Sequence, residues 1–412
     1  MIGAFLLGAT LYVFWCLFEY ILSISPKSMS TQPAQQVLIP NQTKKIAYID
    51  HLKVILTILV VLHHSFITYG APGGWYFQQK STLPGALAPM TMFVSVNQSF
   101  FMGMFFFLSA YFIGPSYEKK GATQFVKDRL IRLGIPLIFY SFLLSPAMNY
   151  LVYYFGYRHH ITLMQFLNGY DDWIDFGVLW FVAALLLFTL LYVLVRELFK
   201  NLPSKALPAP NAGSIVLFAA GVGVISFLVR LVFPVGWVLH PVGFQPGHFS
   251  QYIALFILGL IASKNDWLNT ISDKTGKQLG KWALRLLLFF PIFFVIQKLT
   301  HMEGSWWSGG LHWQALLYGV WEQVIGFSII VGLLSRGRRL WNEPSARISK
   351  LSRYTFAVYI FHPLVLISLA LLVSNWNIEP AIKLLFVAPL AVTGSFLLAS
   401  VIVMIPGVKK II

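Results

Sequence analysis

Apolar runs of about twenty residues recur along this chain, and no other feature limits its fold so strongly. A helical run of that length matches the hydrocarbon thickness of a bilayer. Within lipid, a helix lets such a run satisfy its own backbone N–H and C=O groups. Spans are expected near 2–22, 47–69, 91–113, 134–155, 177–197, 213–233, 248–263, 283–300, 314–335, 354–374 and 380–407. Composition agrees: 57% of the 412 residues are hydrophobic and 11% are charged, where a soluble domain carries about a quarter charged residues. The expected class is an all-α polytopic membrane protein of about eleven transmembrane helices.

A net charge of +16 could point to nucleic acid, yet no tail or basic helix gathers the charge, and no nucleic-acid partner is expected. The basic residues instead lie between apolar runs and alternate in sidedness. All but five of the 30 Lys and Arg residues fall on one side of the proposed spans, the exceptions being Lys80, Arg158, Arg230, Lys298 and Lys383. By the positive-inside rule that side is cytoplasmic, with the N-terminus outside and the C-terminus inside a multi-pass cell membrane. One missed span would reverse every later loop, so the partition supports the count. The first span and a polar linker, Ser23 to Lys45, make a segment 1–45 distinct from 46–412. The single cysteine, Cys16, excludes an intrachain disulfide and a cysteine metal site.

The run from Ile46 to Gly70 carries an unusual pair. Lys53 and His64 bracket ten uncharged residues, and at about 100° per residue a spacing of eleven is three full turns, so both project from one helical face. His63 is expected to point elsewhere. Snorkelling would account for Lys53 alone and helix packing for His64 alone. Together they favour a face on a wet cavity or reaction pathway.

Arg129 and Arg132, at i and i+3 ahead of a span, present paired guanidinium forks suited to phosphate oxygens, with Lys127 as a weaker companion. Juxtamembrane arginines also serve as ordinary anchors to anionic lipid. Glu322 reads as a lone carboxylate in an apolar helix. Arg230 could orient an anionic acceptor but fits snorkelling to the interface better, and His362 before Pro363 reads as a packing residue. His159, His160, Asp171, Asp172 and Asp175 match no ligand spacing, so no metal is expected.

Taken together, several stretches resemble the membrane acyltransferase 3 family. Lys53 to His64 matches its Arg, ten residues, His pattern, with Lys in place of Arg. Phe105 to Phe112, reading FFFLSAYF, resembles its FF-x-LSG segment with Ala110 for Gly, and Arg129 with Arg132 its R-x-x-R motif. Leu179-Trp180-Phe181 resembles its LWF, Tyr252 to Gly259 its Y-x-x-x-F-x-x-G run, and Tyr354 to Pro363 its SY-x-x-Y-x-x-H-P helix. The similarity covers about 46–407, where ten expected spans equal the family's ten, leaving the first as an N-terminal addition.

The resemblance implies an O-acyltransferase that moves an acyl group, commonly from acetyl-CoA, to a hydroxyl of a carbohydrate or glycolipid acceptor. His64 would then be general base, and Lys53 would hold the donor or stabilise developing negative charge. Arg129, Arg132 and Lys127 would receive the CoA phosphates, while Glu322, Arg230 and Ser109 are candidate pathway or acceptor residues. The competing expectation is a transporter or flippase with Lys53, His64 and Glu322 along a permeation path.

Overall fold

The computed structural model describes residues 46–83, 85–199 and 206–412. The expected span near 2–22 and most of the polar linker after it lie outside the described residues. Among the described residues, ten helices are long and apolar enough to cross a membrane: α1 Ala47–Thr68, α2 Leu87–Lys120, α3 Ala122–Gly156, α4 Gly177–Leu198, α5 Ala212–Arg230, α6 Pro246–Lys264, α7 Asp273–Thr300, α8 Trp313–Leu340, α9 Ala346–Leu372 and α10 Pro380–Ile402. They are the ten spans expected after residue 46. Among the described residues the only β pairing is an isolated bridge between Leu239 and Phe244. Several ends shift: α2 starts before 91, α7 starts well before 283, and α3 begins at Ala122 because the basic stretch before residue 134 is already part of it.

Lipid is as apolar as the helix surfaces, so the bundle is held by close packing and internal polar contacts rather than by a hydrophobic drive. α1 and α2 form its centre, with 72% and 78% of their apolar windows buried against 22% for α7. Small residues allow the closest approaches. A side chain on Gly259 of α6 would strike the Phe107 carbonyl and the Ala110 side chain of α2. The glycine of this contact thus sits on α6, facing an alanine on α2.

Two spans depart from regular α-helix. α2 breaks at Ser99 and Phe100, between the segments Leu87–Gln98 and Phe101–Lys120. The Ser99 carbonyl freed there accepts from Gln251 Nε2 at 2.7 Å. α3 contains three π-helical turns, at Leu130–Gly134, Tyr140–Leu144 and Val152–Gly156. Pro136 and Pro146 stand second in the α segments after the first two, where a residue without an N–H loosens the helical ladder.

The connections after α1, α3, α5 and α7 emerge on the same face of the bundle, because successive spans alternate in direction. These connections roof the site.

Candidate functional site

His64 lies in the last turn of α1. Its Nδ1 is 2.9 Å from Nε2 of His362 on α9. His362 is fully buried, and its Nδ1 lies 2.9 Å from the Tyr359 carbonyl and 3.2 Å from that of Val358. Carbonyl oxygens only accept, so His362 carries its proton on Nδ1 and offers a lone pair at Nε2. His64 must then donate through Nδ1, which leaves its own Nε2 unprotonated. This is the orienting relation of a base and its partner, in which one ring fixes the tautomer of the other.

The free edge of His64 borders a cavity of about 750 Å³. Trp75 stacks on the imidazole with ring centroids 4.3 Å apart, and it comes from the connection after α1. Tyr76 holds that connection in place through its hydroxyl, 2.8 Å from the Tyr140 hydroxyl on α3. Burial pushes the Tyr76 phenol up, so it remains a protonated partner. Asp175 anchors the segment before α4 by accepting from Ser145 Oγ at 2.6 Å and from the Gly177 N–H at 2.8 Å. The walls add Trp180, Tyr252, Tyr318 and Gln98. His63, expected to point elsewhere, also borders the cavity and meets His64 edge to face.

A second polar cluster backs the cavity. Arg230 Nη2 lies 2.5 Å from Glu322 Oε2, and both side chains are sealed from solvent. The expectation that Arg230 snorkels to the interface is therefore corrected, and Glu322 is no lone carboxylate: in the bundle interior each cancels the other's charge. Arg230 Nε also donates to the Gly247 carbonyl at 3.0 Å, and Nη2 stands 3.3 Å from Nδ1 of His248. Glu322 Oε1 is 3.5 Å from the same nitrogen, beyond good hydrogen-bond length. The guanidinium contact therefore decides the tautomer: Nδ1 of His248 accepts and Nε2 carries the proton.

The remaining expected site residues lie elsewhere. Lys53, at the far end of α1 from His64, is 4.0 Å from Asp50 Oδ1 and 6.0 Å from the Phe112 ring centroid. It does not line the His64 cavity, so the structure pairs His64 with His362 where spacing paired it with Lys53. Asp50 accepts from Ser352 Oγ at 2.8 Å, which ties α1 to α9. Ser109 is half-buried on α2 and outside the cavity wall. Lys127 and Arg132 are exposed, while Arg129 is half-buried with its guanidinium 4.9 Å from the Phe125 ring centroid. Asp128 between them is engaged by Lys120 at 2.5 Å. A π turn starts at Leu130, between Arg129 and Arg132.

His248 and Trp75 on the cavity wall, and His362 buried behind His64, were not singled out for function from sequence. His362 offered one signal, an imidazole inside an apolar run.

Comparison with known proteins agrees with this architecture. The sequence model of the acyltransferase 3 family, described as an acyltransferase domain, matches residues 46–400. Among curated relatives, the glucans biosynthesis protein C of Salmonella paratyphi B is 23% identical over 334 residues, covering 77% of this chain and 82% of the relative. The protein of the same name from Salmonella heidelberg is 24% identical over 339 residues, with the same coverage. No solved structure matches the chain.

Proposed function

The chain belongs to the acyltransferase 3 family, and on that footing we propose that this membrane acyltransferase moves an acyl group, acetyl in the simplest case, from cytoplasmic acyl-CoA to a carbohydrate hydroxyl at the outer face of a cell membrane. The observation that carries this reading is the His64–His362 contact, which aims an unprotonated imidazole nitrogen at a cavity large enough for a sugar unit. In the reaction, the acceptor hydroxyl gives its proton to His64 Nε2 as its oxygen attacks the thioester carbonyl. Collapse of the tetrahedral adduct breaks the C–S bond, and the departing thiolate takes the proton back from the imidazolium. Acyl ester and free CoA result, and the enzyme returns to its starting state.

Arg129, Arg132 and Lys127 supply a cationic surface for the CoA phosphates on the face opposite the cavity roof. Positive-inside counting assigns that face to the cytoplasm, and lipid surrounds the spans. Lys53, in the cytoplasmic half of α1, serves the donor's entry rather than the reacting carbonyl. For the acceptor, the name of the glucans biosynthesis relatives supports a glucan, and the aromatic walls suit the apolar faces of sugar rings.

The test is transfer by purified protein in nanodiscs, given labelled acetyl-CoA and glucose oligomers, with the acylated sugar detected by mass spectrometry. Wild-type protein should release CoA and acylate sugar, and His64→Ala should fold but lose both. Full activity in His64→Ala removes that residue from the reaction. Wild-type protein that leaves the thioester intact, with the sugar supplied on either side, rejects the acyltransferase chemistry proposed here.

A further inference from the structure

His248, in the first turn of α6, borders the same cavity as His64 but presents the opposite chemistry. Its Nδ1 faces the guanidinium of Arg230 at 3.3 Å, and a guanidinium has only hydrogens to offer. The ring proton therefore resides on Nε2. That nitrogen has no hydrogen bond to another described residue and is absent from the sealed, unpartnered polar atoms, so its N–H opens on the cavity. His64 offers a lone pair to the cavity and His248 offers a proton.

The apparatus behind His248 is elaborate for a packing residue. Arg230 is fixed by Glu322 at 2.5 Å and by the Gly247 carbonyl at 3.0 Å. Gln323 Nε2 donates to Glu322 Oε2 at 3.2 Å, and Gln251 Nε2 bridges Gln323 Oε1 at 2.8 Å to the Ser99 carbonyl in the break of α2. A buried ion pair of this kind is commonly no more stable than well-packed apolar residues of the same volume. Stability alone gives little reason to keep it, whereas holding one imidazole in one tautomer does. Beside His248 the wall continues with Gln98, whose Nε2 donates to the Tyr252 hydroxyl at 2.9 Å, and with Trp180 stacked at 5.4 Å on the Tyr252 ring.

We propose that His248 binds the acceptor, its Nε2–H donating to a sugar hydroxyl beside the one that His64 deprotonates, with Arg230 and Glu322 as positioning residues that keep the proton on that nitrogen. The site then selects polyols over monohydric alcohols, because a lone hydroxyl cannot serve both imidazoles. This inference rests on the carbohydrate reading of the acceptor but not on transfer itself.

The experiment therefore reads binding without an acyl donor. Maltohexaose and cellohexaose are titrated into full-length protein in nanodiscs and followed by tryptophan fluorescence, with CoA release in water measured separately. His248→Phe should weaken binding of whichever oligomer binds by about tenfold, the scale of one hydrogen bond left unmade. His248→Gln, which retains an N–H, should recover most of that loss. The double variant Arg230→Met/Glu322→Leu should keep the thermal midpoint of the wild type and bind as weakly as His248→Phe. Binding by His248→Phe equal to wild type, a Gln variant no better than Phe, or wild-type affinity in the double variant each overturns the proposal, as does wild-type protein that binds neither oligomer. Protein that binds sugar with this pattern but releases no CoA supports the proposal while rejecting the acyltransferase chemistry.

Discussion

His64 and His362, almost three hundred residues apart in sequence, share a 2.9 Å hydrogen bond inside the bundle. The two carbonyls behind His362 fix the proton on its far nitrogen and so determine which nitrogen of His64 is basic. Removing the partner leaves the base present but free to adopt the wrong tautomer, a change that elsewhere lowers turnover by up to about 10⁴-fold. His362→Ala is expected to reduce kcat by roughly 10²-fold or more while leaving KM for acyl-CoA within twofold. His362→Gln, whose carbonyl oxygen can still accept from Nδ1, should fall between the two. Steady-state kinetics checks this split, and an unchanged kcat in His362→Ala would leave His64 without an orienting partner.

The paired guanidinium groups of Arg129 and Arg132 make a different kinetic prediction. A charge-assisted hydrogen bond to phosphate is worth about 1.5–3 kcal/mol, so each Arg→Ala change should raise KM for acetyl-CoA by about tenfold or more. With acetyl-pantetheine, which lacks the nucleotide phosphates, variants and wild type should show the same KM. Equal losses with both donors would mean that the arginines hold α3 in shape and do not read phosphate.

The span pattern was legible in the sequence because the bilayer imposes one length and one polarity on each helix, and those limits act on local sequence. The candidate base was legible for the same reason: an imidazole in an apolar helix is costly wherever the helix packs. Its partner was not, because local spacing reveals only residues on the same helix, and Lys53 satisfied that geometry from the far end of α1. His362 and His64 meet only through the packing of α9 on α1. Arg230 and Glu322 were each legible as anomalies and illegible as a pair, since nothing in either segment says that α5 and α8 touch. The break in α2 at Ser99 has no proline or glycine to announce it, and its freed carbonyl is satisfied by Gln251 from α6.

The buried ion pair predicts a non-additive stability response. Arg230→Met alone strands the carboxylate of Glu322, which is 1% exposed, in the bundle interior. Breaking a buried pair from one side costs about 3–5 kcal/mol. Replacing both partners with apolar residues removes that penalty, so the double variant Arg230→Met/Glu322→Leu should unfold at a higher temperature than the single variant. Thermal unfolding in detergent, followed by intrinsic fluorescence, gives the comparison. A double variant less stable than Arg230→Met would show that the hydrogen bond Glu322 accepts from Gln323 outweighs the stranded charge.

Close helix approach at the break of α2 gives a final stability test. A side chain on Gly326 of α8 would occupy the position of the Ser99 carbonyl, the same oxygen that Gln251 binds. Backbone cannot rotate away as a flexible side chain can, so Gly326→Ala must push α8 from α2 or break the Gln251 contact. Overpacking of this kind costs about 1–3 kcal/mol, and a lost hydrogen bond to a buried carbonyl adds a similar amount. Because Gln251 also holds Gln323 beside Glu322, the shift should spread toward Arg230. Gly326→Ala is therefore expected to lower the unfolding temperature, whereas Gly74→Ala, at an exposed glycine of the cavity roof where a Cβ meets nothing within 4 Å, should leave it unchanged. Equal unfolding temperatures for the two variants would show that α2 and α8 do not meet at Ser99.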